Sequence, residues 1–134
     1  MWRCPDCERL FEKGGQSHTC TRIELGELFE RKPDNMVLAF DAILQAIVPW
    51  EPNEVSVARH SIVCTSRRAW CIIKPMARQL DVKVYLSTEL PSPLVRRITP
   101  YGKRYGHHIR ISEPEEVTEE VIKLLRRGWE ESVG

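Results

Sequence analysis

Between Val55 and Ser112 the chain alternates apolar and polar side chains residue by residue, and no other feature constrains its fold as strongly. Leu80, Val82, Val84 and Leu86 are apolar, whereas Asp81, Lys83 and Tyr85 between them are polar or amphipathic; Ile109 and Ile111 repeat the pattern against His108 and Arg110. A period of two belongs to a strand with one face on a core. Segments of this kind recur at about 55–58, 61–66, 69–74, 80–86, 95–99 and 107–112, separated by Pro, Ser, Gly or charged turns, which predicts an antiparallel meander. Pairing the strands on either side of Arg67 and Arg68 sets Cys64 opposite Cys71, two small core residues rather than a reactive pair.

Helical periods flank this region. Met36, Val37, Phe40, Ile43, Leu44 and Ile47 recur at three- and four-residue steps, with Pro33 and Asp34 at the start and Pro49 beyond the end, predicting a helix over about 34–48. Ser112 and Glu115 have capping-box spacing, Pro114 sits in the first turn, and Glu116, Glu119 and Glu120 favour the positive start of a helix whose buried stripe is Val117, Val121, Leu124, Leu125 and Trp129. Lys123, Arg126 and Arg127 are expected to complement its carboxyl end. Two helices on one antiparallel sheet make the fold class α+β.

The amino-terminal segment obeys different rules. Cys4 and Cys7 are separated by two residues, with Pro5 stiffening the turn, so both sulfurs reach one ion; His18 and Cys20, two apart, project from one side of an extended segment. A zinc ion held by Cys4, Cys7, His18 and Cys20 is the leading reading, against a redox-active CPDC dithiol or a chance cluster. Four ligands close the tetrahedron and leave no place for an activated water, so the site is expected to be structural. The predicted organisation is a small zinc-ribbon-like module over 1–22 and an α+β domain over 23–134, joined by a stretch in which Ile23, Leu25, Leu28 and Phe29 anchor the link. No apolar run approaches the ~18 residues of a membrane span, and the thiols suit a reducing compartment, so a cytoplasmic protein without membrane attachment is expected.

A net charge of +1 conceals strong segregation. Residues 55–112 carry 11 basic and 2 acidic side chains, while the flanking segments are acidic. One explanation is that acidic helices neutralise a basic sheet. The other is a phosphate-rich partner. On that reading DNA or RNA is contacted through phosphates by Arg67, Arg68, Arg96, Arg97, Lys103, Arg104 and Arg110, with Tyr101 and Tyr105 stacking on bases. The alternative is a protein- or small-anion-binding adaptor with a purely structural zinc site. Nucleophile elbows, Walker lysines, kinase motifs and convergent carboxylates are missing, so a non-enzymatic binder is expected over an enzyme that uses His60, His107 or His108 as a base.

The stretch LGELFERKP, the strand series VARHSIVCTSRRAWCIIKPMARQLDVKVYL and the HHIRI strand before the last helix resemble an uncharacterised domain-of-unknown-function family. That family also occurs as the carboxyl-terminal domain of bacterial proteins labelled predicted transport proteins. The resemblance covers about 25–131, and some members are also similar at the front, matched here by WRCPDC and QSHTC. It implies an α+β fold with a separate Cys/His module, and brings no reaction and no catalytic residues.

Overall fold

The computed structural model describes residues 2–3, 10–11 and 25–134. Trp2–Arg3 (β1) pairs antiparallel with Leu10–Phe11 (β2), and the Arg3 guanidinium reaches the carboxylate of Glu54. A short helix, α1 (Leu25–Leu28), leads into α2 (Asp34–Ile47). Phe29 stacks on Phe40 with ring centroids 5.2 Å apart, which ties the link to the domain, whereas Leu25 of the expected anchor is 37% exposed.

Each alternating segment becomes a strand: β3 (Glu54–Val57), β4 (Ile62–Thr65), β5 (Ala69–Pro75), β6 (Leu80–Leu86), β7 (Arg97–Tyr101) and β8 (Arg104–Ile111). All neighbouring pairs are antiparallel, in the order β3-β4-β5-β6-β8-β7. The expected meander therefore holds to β6 and breaks after it. The connection across residues 87–96 carries the chain past one strand position, so β8 lies beside β6 and β7 takes the edge. The burial explains the exchange: β8 buries His107, Ile109 and Ile111, whereas β7 is half-buried or exposed and contains Pro100, which cannot donate to a ladder and suits an edge.

Cys64 does sit opposite Cys71, but the next pair is Thr65 with Ala69, so β5 carries Trp70 as an extra residue. The bulge interrupts the alternation and lets Trp70 and Cys71 both be buried. Both cysteines are free, and the Cys64 hydrogen bond together with burial pushes the Cys71 thiol well above its usual range, as suits an inert core thiol.

Helices α2 and α3 (Glu119–Val133) bury their apolar stripes against Leu80, Val82, Val84 and Leu86 in a single core. In α2 the stripe is Met36, Ala39, Phe40, Ile43 and Ile47; Val37, expected inside, is 41% exposed and the small Ala39 packs instead. The last helix starts later than its cap spacing predicts. Pro114–Glu116 forms a separate 3-10 turn in which the carboxylate of Glu116, not Glu115, accepts from Ser112 N at 2.9 Å, Ser112 Oγ at 2.7 Å and Glu113 N at 3.0 Å. Val117 then leaves helical geometry with ψ 74°, and Thr118 caps α3 by accepting from Val121 N. Because α3 continues to Val133, Arg126 and Arg127 pair with Glu130 and Glu131 along it rather than with its carboxyl end.

Gly128 sets how closely α3 lies on the sheet. A β-carbon there would stand 2.3 Å from Val84 Cγ1, a separation no packed methyl tolerates. Below this contact Ser132 and Ser66 share a buried hydrogen bond. Trp50 bridges Trp70 and Trp129 at 6.1 and 6.0 Å, and Trp129 Nε1 donates to Pro52 O at 2.9 Å, which places Trp129 at the border of the stripe rather than inside it.

Candidate functional site

Residues directly opposite one another in antiparallel strands share a face, so the register assigns the sheet's second face row by row. Ser56, Val63, Ile72, Lys83, His108 and Arg97 form one transverse row; Lys74, Asp81 and Arg110 form another; Tyr85, Gly106 and Thr99 a third; and Arg104 with Tyr101 a fourth. Helices α2 and α3 cover the opposite face. Along β8 the outward positions from Arg104 to Arg110 span about 20 Å.

A polar network pins the middle of this face. His108 Nδ1–H donates to Asp81 Oδ2 at 3.0 Å, and Arg110 Nε donates to Asp81 Oδ1 at 2.9 Å. The other ring nitrogen of His108, Nε2, lies 3.0 Å from the Thr99 hydroxyl. The Asp81 and His108 side chains are only 12% and 7% exposed, so their hydrogen bonds compensate for lost water. A carboxylate orienting an imidazole against a hydroxyl is also the connectivity of a nucleophile and its base. Thr99, however, lies on the edge strand, and neither concavity described below is lined by it. A β-carbon at Gly106 would sit 2.8 Å from Lys83 Cδ and 3.1 Å from Thr99 Oγ1, so the missing side chain is what lets these groups close over β8.

His107, one residue earlier, points the other way and is fully buried. Its Nδ1–H donates to Tyr105 O at 3.0 Å and Nε2 accepts from Leu90 N at 2.8 Å, so both nitrogens hold backbone. It is a core histidine that fastens the β6–β7 connection, and is not positioned as a base. His60 is exposed on the β3–β4 turn.

At the other end of the face the Arg104 guanidinium lies 4.6 Å from the Tyr85 ring centroid and donates from Nη1 to Ala69 O at 2.6 Å. Lys83 Nζ stands 5.2 Å from the same ring, and Tyr101 stacks at 5.1 Å from Tyr85. Tyr85 is buried by this company, whereas Tyr101 is 59% exposed. An aromatic surface flanked by cations is thus presented to solvent.

The expected binding residues divide. Arg97, Tyr101, Arg104 and Arg110 come together on the helix-free face, and Lys103 is exposed on the adjoining β7–β8 turn. Arg67 is exposed on the β4–β5 turn. Arg68 is drawn beneath α3, where its Nη2 donates to Glu131 O at 3.2 Å and its Nε is buried without a partner. Arg96 lies out of phase just before β7, its N–H bound to His108 O, and Tyr105 faces the helical side. Lys74 and Lys83 were missed. Their signal was available, because both occupy the outward phase of strands whose inward residues are apolar.

Among the described residues no ion pair joins an acidic side chain of α2 or α3 to this face. Among the described residues Glu130 and Glu131 pair with arginines of α3 itself, Glu54 pairs with Arg3, and Asp81 pairs with Arg110 and His108. Among the described residues Lys74, Lys83 and Arg97 have no ion-pair partner. A separate, mostly apolar groove of about 640 Å³ is lined by Leu90, Leu94 and Leu124 together with Glu120, Lys123 and Arg127.

Residues 25–132 match the family described as a domain of unknown function (DUF5655). The chain belongs to that family. The DUF5655 domain thus begins at the first residue of α1 and takes in the whole sheet and nearly all of α3. No curated protein and no solved structure matches the chain. Cys4, Cys7, His18 and Cys20 precede the DUF5655 match and lie outside the described residues. Among the described residues there is no cluster of His, Cys, Asp and Glu suited to a metal, and no helix is long and apolar enough to cross a membrane.

Proposed function

We propose that the helix-free face of the DUF5655 domain binds nucleic acid and that the protein is a non-enzymatic binding module. The observation that carries this reading is that Lys74, Lys83 and Arg97, which have no acidic partner among the described residues, share one face with Arg104 and the Asp81-paired Arg110, with Tyr101 exposed among them. Cations left unpaired on a shared surface repel one another, and a polyanion relieves that cost by releasing its own counterions. In this reading Lys74, Lys83, Arg97 and Lys103 contact phosphates. Arg104 and Arg110 shape the surface while engaged with Ala69 and Asp81, and Tyr101 offers its ring to a base. Single strands suit the exposed tyrosine better than duplex does.

Cys4, Cys7, His18 and Cys20 complete the proposal as ligands of a structural zinc ion, on the strength of their spacing. The cytoplasm is the compartment proposed, since it keeps such thiolates and the free Cys64 and Cys71 reduced. Metal analysis of the purified protein tests the first point: zinc bound in a one-to-one ratio and lost in a Cys4→Ser/Cys7→Ser variant is expected, and a metal-free wild type contradicts it.

Fluorescence anisotropy with labelled single-stranded DNA, duplex DNA and RNA tests the binding reading. Micromolar or tighter affinity that weakens steeply with salt is expected. Absence of binding at low salt, with saturable salt-tolerant binding of one protein or small anion, instead identifies the adaptor.

A further inference from the structure

We propose that the cleft at the Lys74 end of this face binds a phosphomonoester, the terminal phosphate of a strand lying on the helix-free face. The inference rests on the nucleic-acid reading for the source of the phosphate but not for the anion site itself. The cleft encloses about 580 Å³ where the end of α1, the β3–β4 turn and the end of β5 meet. Such a volume suits a nucleotide-sized ligand. Arg31 and Lys32 reach it from the chain after α1, Arg59 and His60 from the turn, and Lys74 from β5.

Separate segments thus bring cationic side chains to one concavity. Glu27 and Glu30 also line it, yet among the described residues none of Arg31, Lys32, Arg59 and Lys74 has a carboxylate within ion-pair distance. Among the residues that line the concavity, four cationic side chains thus stand against two carboxylates. Arg31 occupies its place with φ 59°, the left-handed backbone region that glycine or asparagine enters at lower cost. Local backbone economy does not favour an arginine there; a guanidinium at the cleft wall gives it a use.

Lys74 belongs to both surfaces, standing in the row of Asp81 and Arg110 and lining the cleft. A strand following the face from Arg104 to Arg110 arrives at this cleft. An internal phosphodiester carries a single negative charge, whereas a terminal phosphate carries close to two at neutral pH and offers more acceptor oxygens to a fork of donors. This group of cations, gathered from separate segments, is accordingly matched to the end of a strand rather than to its middle.

The test compares labelled single strands bearing a 5′-phosphate, a 3′-phosphate or hydroxyls at both ends, by anisotropy at fixed salt, alongside calorimetry with a free nucleoside monophosphate. One phosphorylated end is expected to bind about tenfold more tightly than the hydroxyl strand, the equivalent of one charge-assisted hydrogen bond. In a Lys32→Ala/Arg59→Ala variant that preference disappears while the hydroxyl strand binds as before. Equal affinity for all strands overturns the inference and leaves the nucleic-acid reading standing. A preference that survives in the variant overturns the location. Saturable binding of the nucleoside monophosphate without binding of any strand overturns the nucleic-acid reading, and its loss in the same variant assigns the cleft to free nucleotides.

Discussion

His107 and His108 are neighbours in one strand, and they belong to two surfaces held by different physics. On the helical side His107 is enclosed by core, and its two nitrogens fasten backbone at Tyr105 and Leu90. On the other side His108 is held between Asp81 and Thr99 in a row where Lys83 and Arg97 flank it. A displacement of one residue along β8 thus separates a face stabilised by apolar burial from one stabilised by charge-assisted hydrogen bonds and cation–ring contacts. The first face is closed by helices. The second carries no helix, and its central polar groups are held by hydrogen bonds to Asp81 and Thr99.

The difference can be broken first from the helical side. Gly128→Val puts methyl groups where Val84 already stands, so α3 must lift from the sheet; about 3 kcal/mol of stability is expected to be lost in urea denaturation. A loss under about 1 kcal/mol would show that α3 is not closely seated there. On the open face Asp81→Ala removes the acceptor shared by His108 and Arg110. A cost of about 2 kcal/mol is expected, with broadening of NMR signals confined to β6, β7 and β8. No change in stability would mean that the polar network does not hold that face.

Acid sharpens the comparison at the helix termini. Hydrogen bonds from Ser112 and Glu113 hold the Glu116 carboxyl below its ordinary value of 4.5. Burial of Glu131 favours its neutral form, but the Ser87 N–H and hydroxyl and Arg127 outweigh it and lower this carboxyl too. Depressed folded values mean that both groups add stability above pH 4.5, and that this contribution is lost as pH falls through the folded values. Denaturation midpoints that are flat above that pH and decline below it are expected, with a shallower decline in Glu116→Gln. The smallest structural effect belongs to the exposed cations: Lys74→Glu/Arg97→Glu is expected to alter stability by less than about 0.5 kcal/mol, since neither side chain has an ion-pair partner to lose among the described residues.

The core was legible because alternation and helical period are local. The phases of β6 and β8, the Cys64 and Cys71 pairing and the presence of both main helices, though not the start of α3, follow from spacing alone. The exchange of β7 and β8 was not, because it depends on how a connection crosses the sheet, and the Trp70 bulge was hidden by an apolar pair that reads equally well as one strand or as a slip. Glu115 and Glu116 both lay within reach of Ser112, and only the geometry after Pro114 selected Glu116. The candidate site was half legible. Arg97, Tyr101, Arg104 and Arg110 were visible as a basic cluster, but clustering in sequence also drew in Arg96 and Tyr105 from the wrong phase and Arg68 from under α3. Lys74 and Lys83 sit among apolar strand residues, where a count of local charge gives them little weight.

The salt dependence of single-strand affinity decides whether the outward phase of the sheet holds a phosphate-bearing strand, as proposed. Relative to wild type, Lys74→Glu/Arg97→Glu is expected to bind more weakly, with a slope of log affinity against log salt that is smaller in magnitude by about 1.4, about 0.7 for each phosphate contact removed. Equal affinities with superimposable slopes would contradict it.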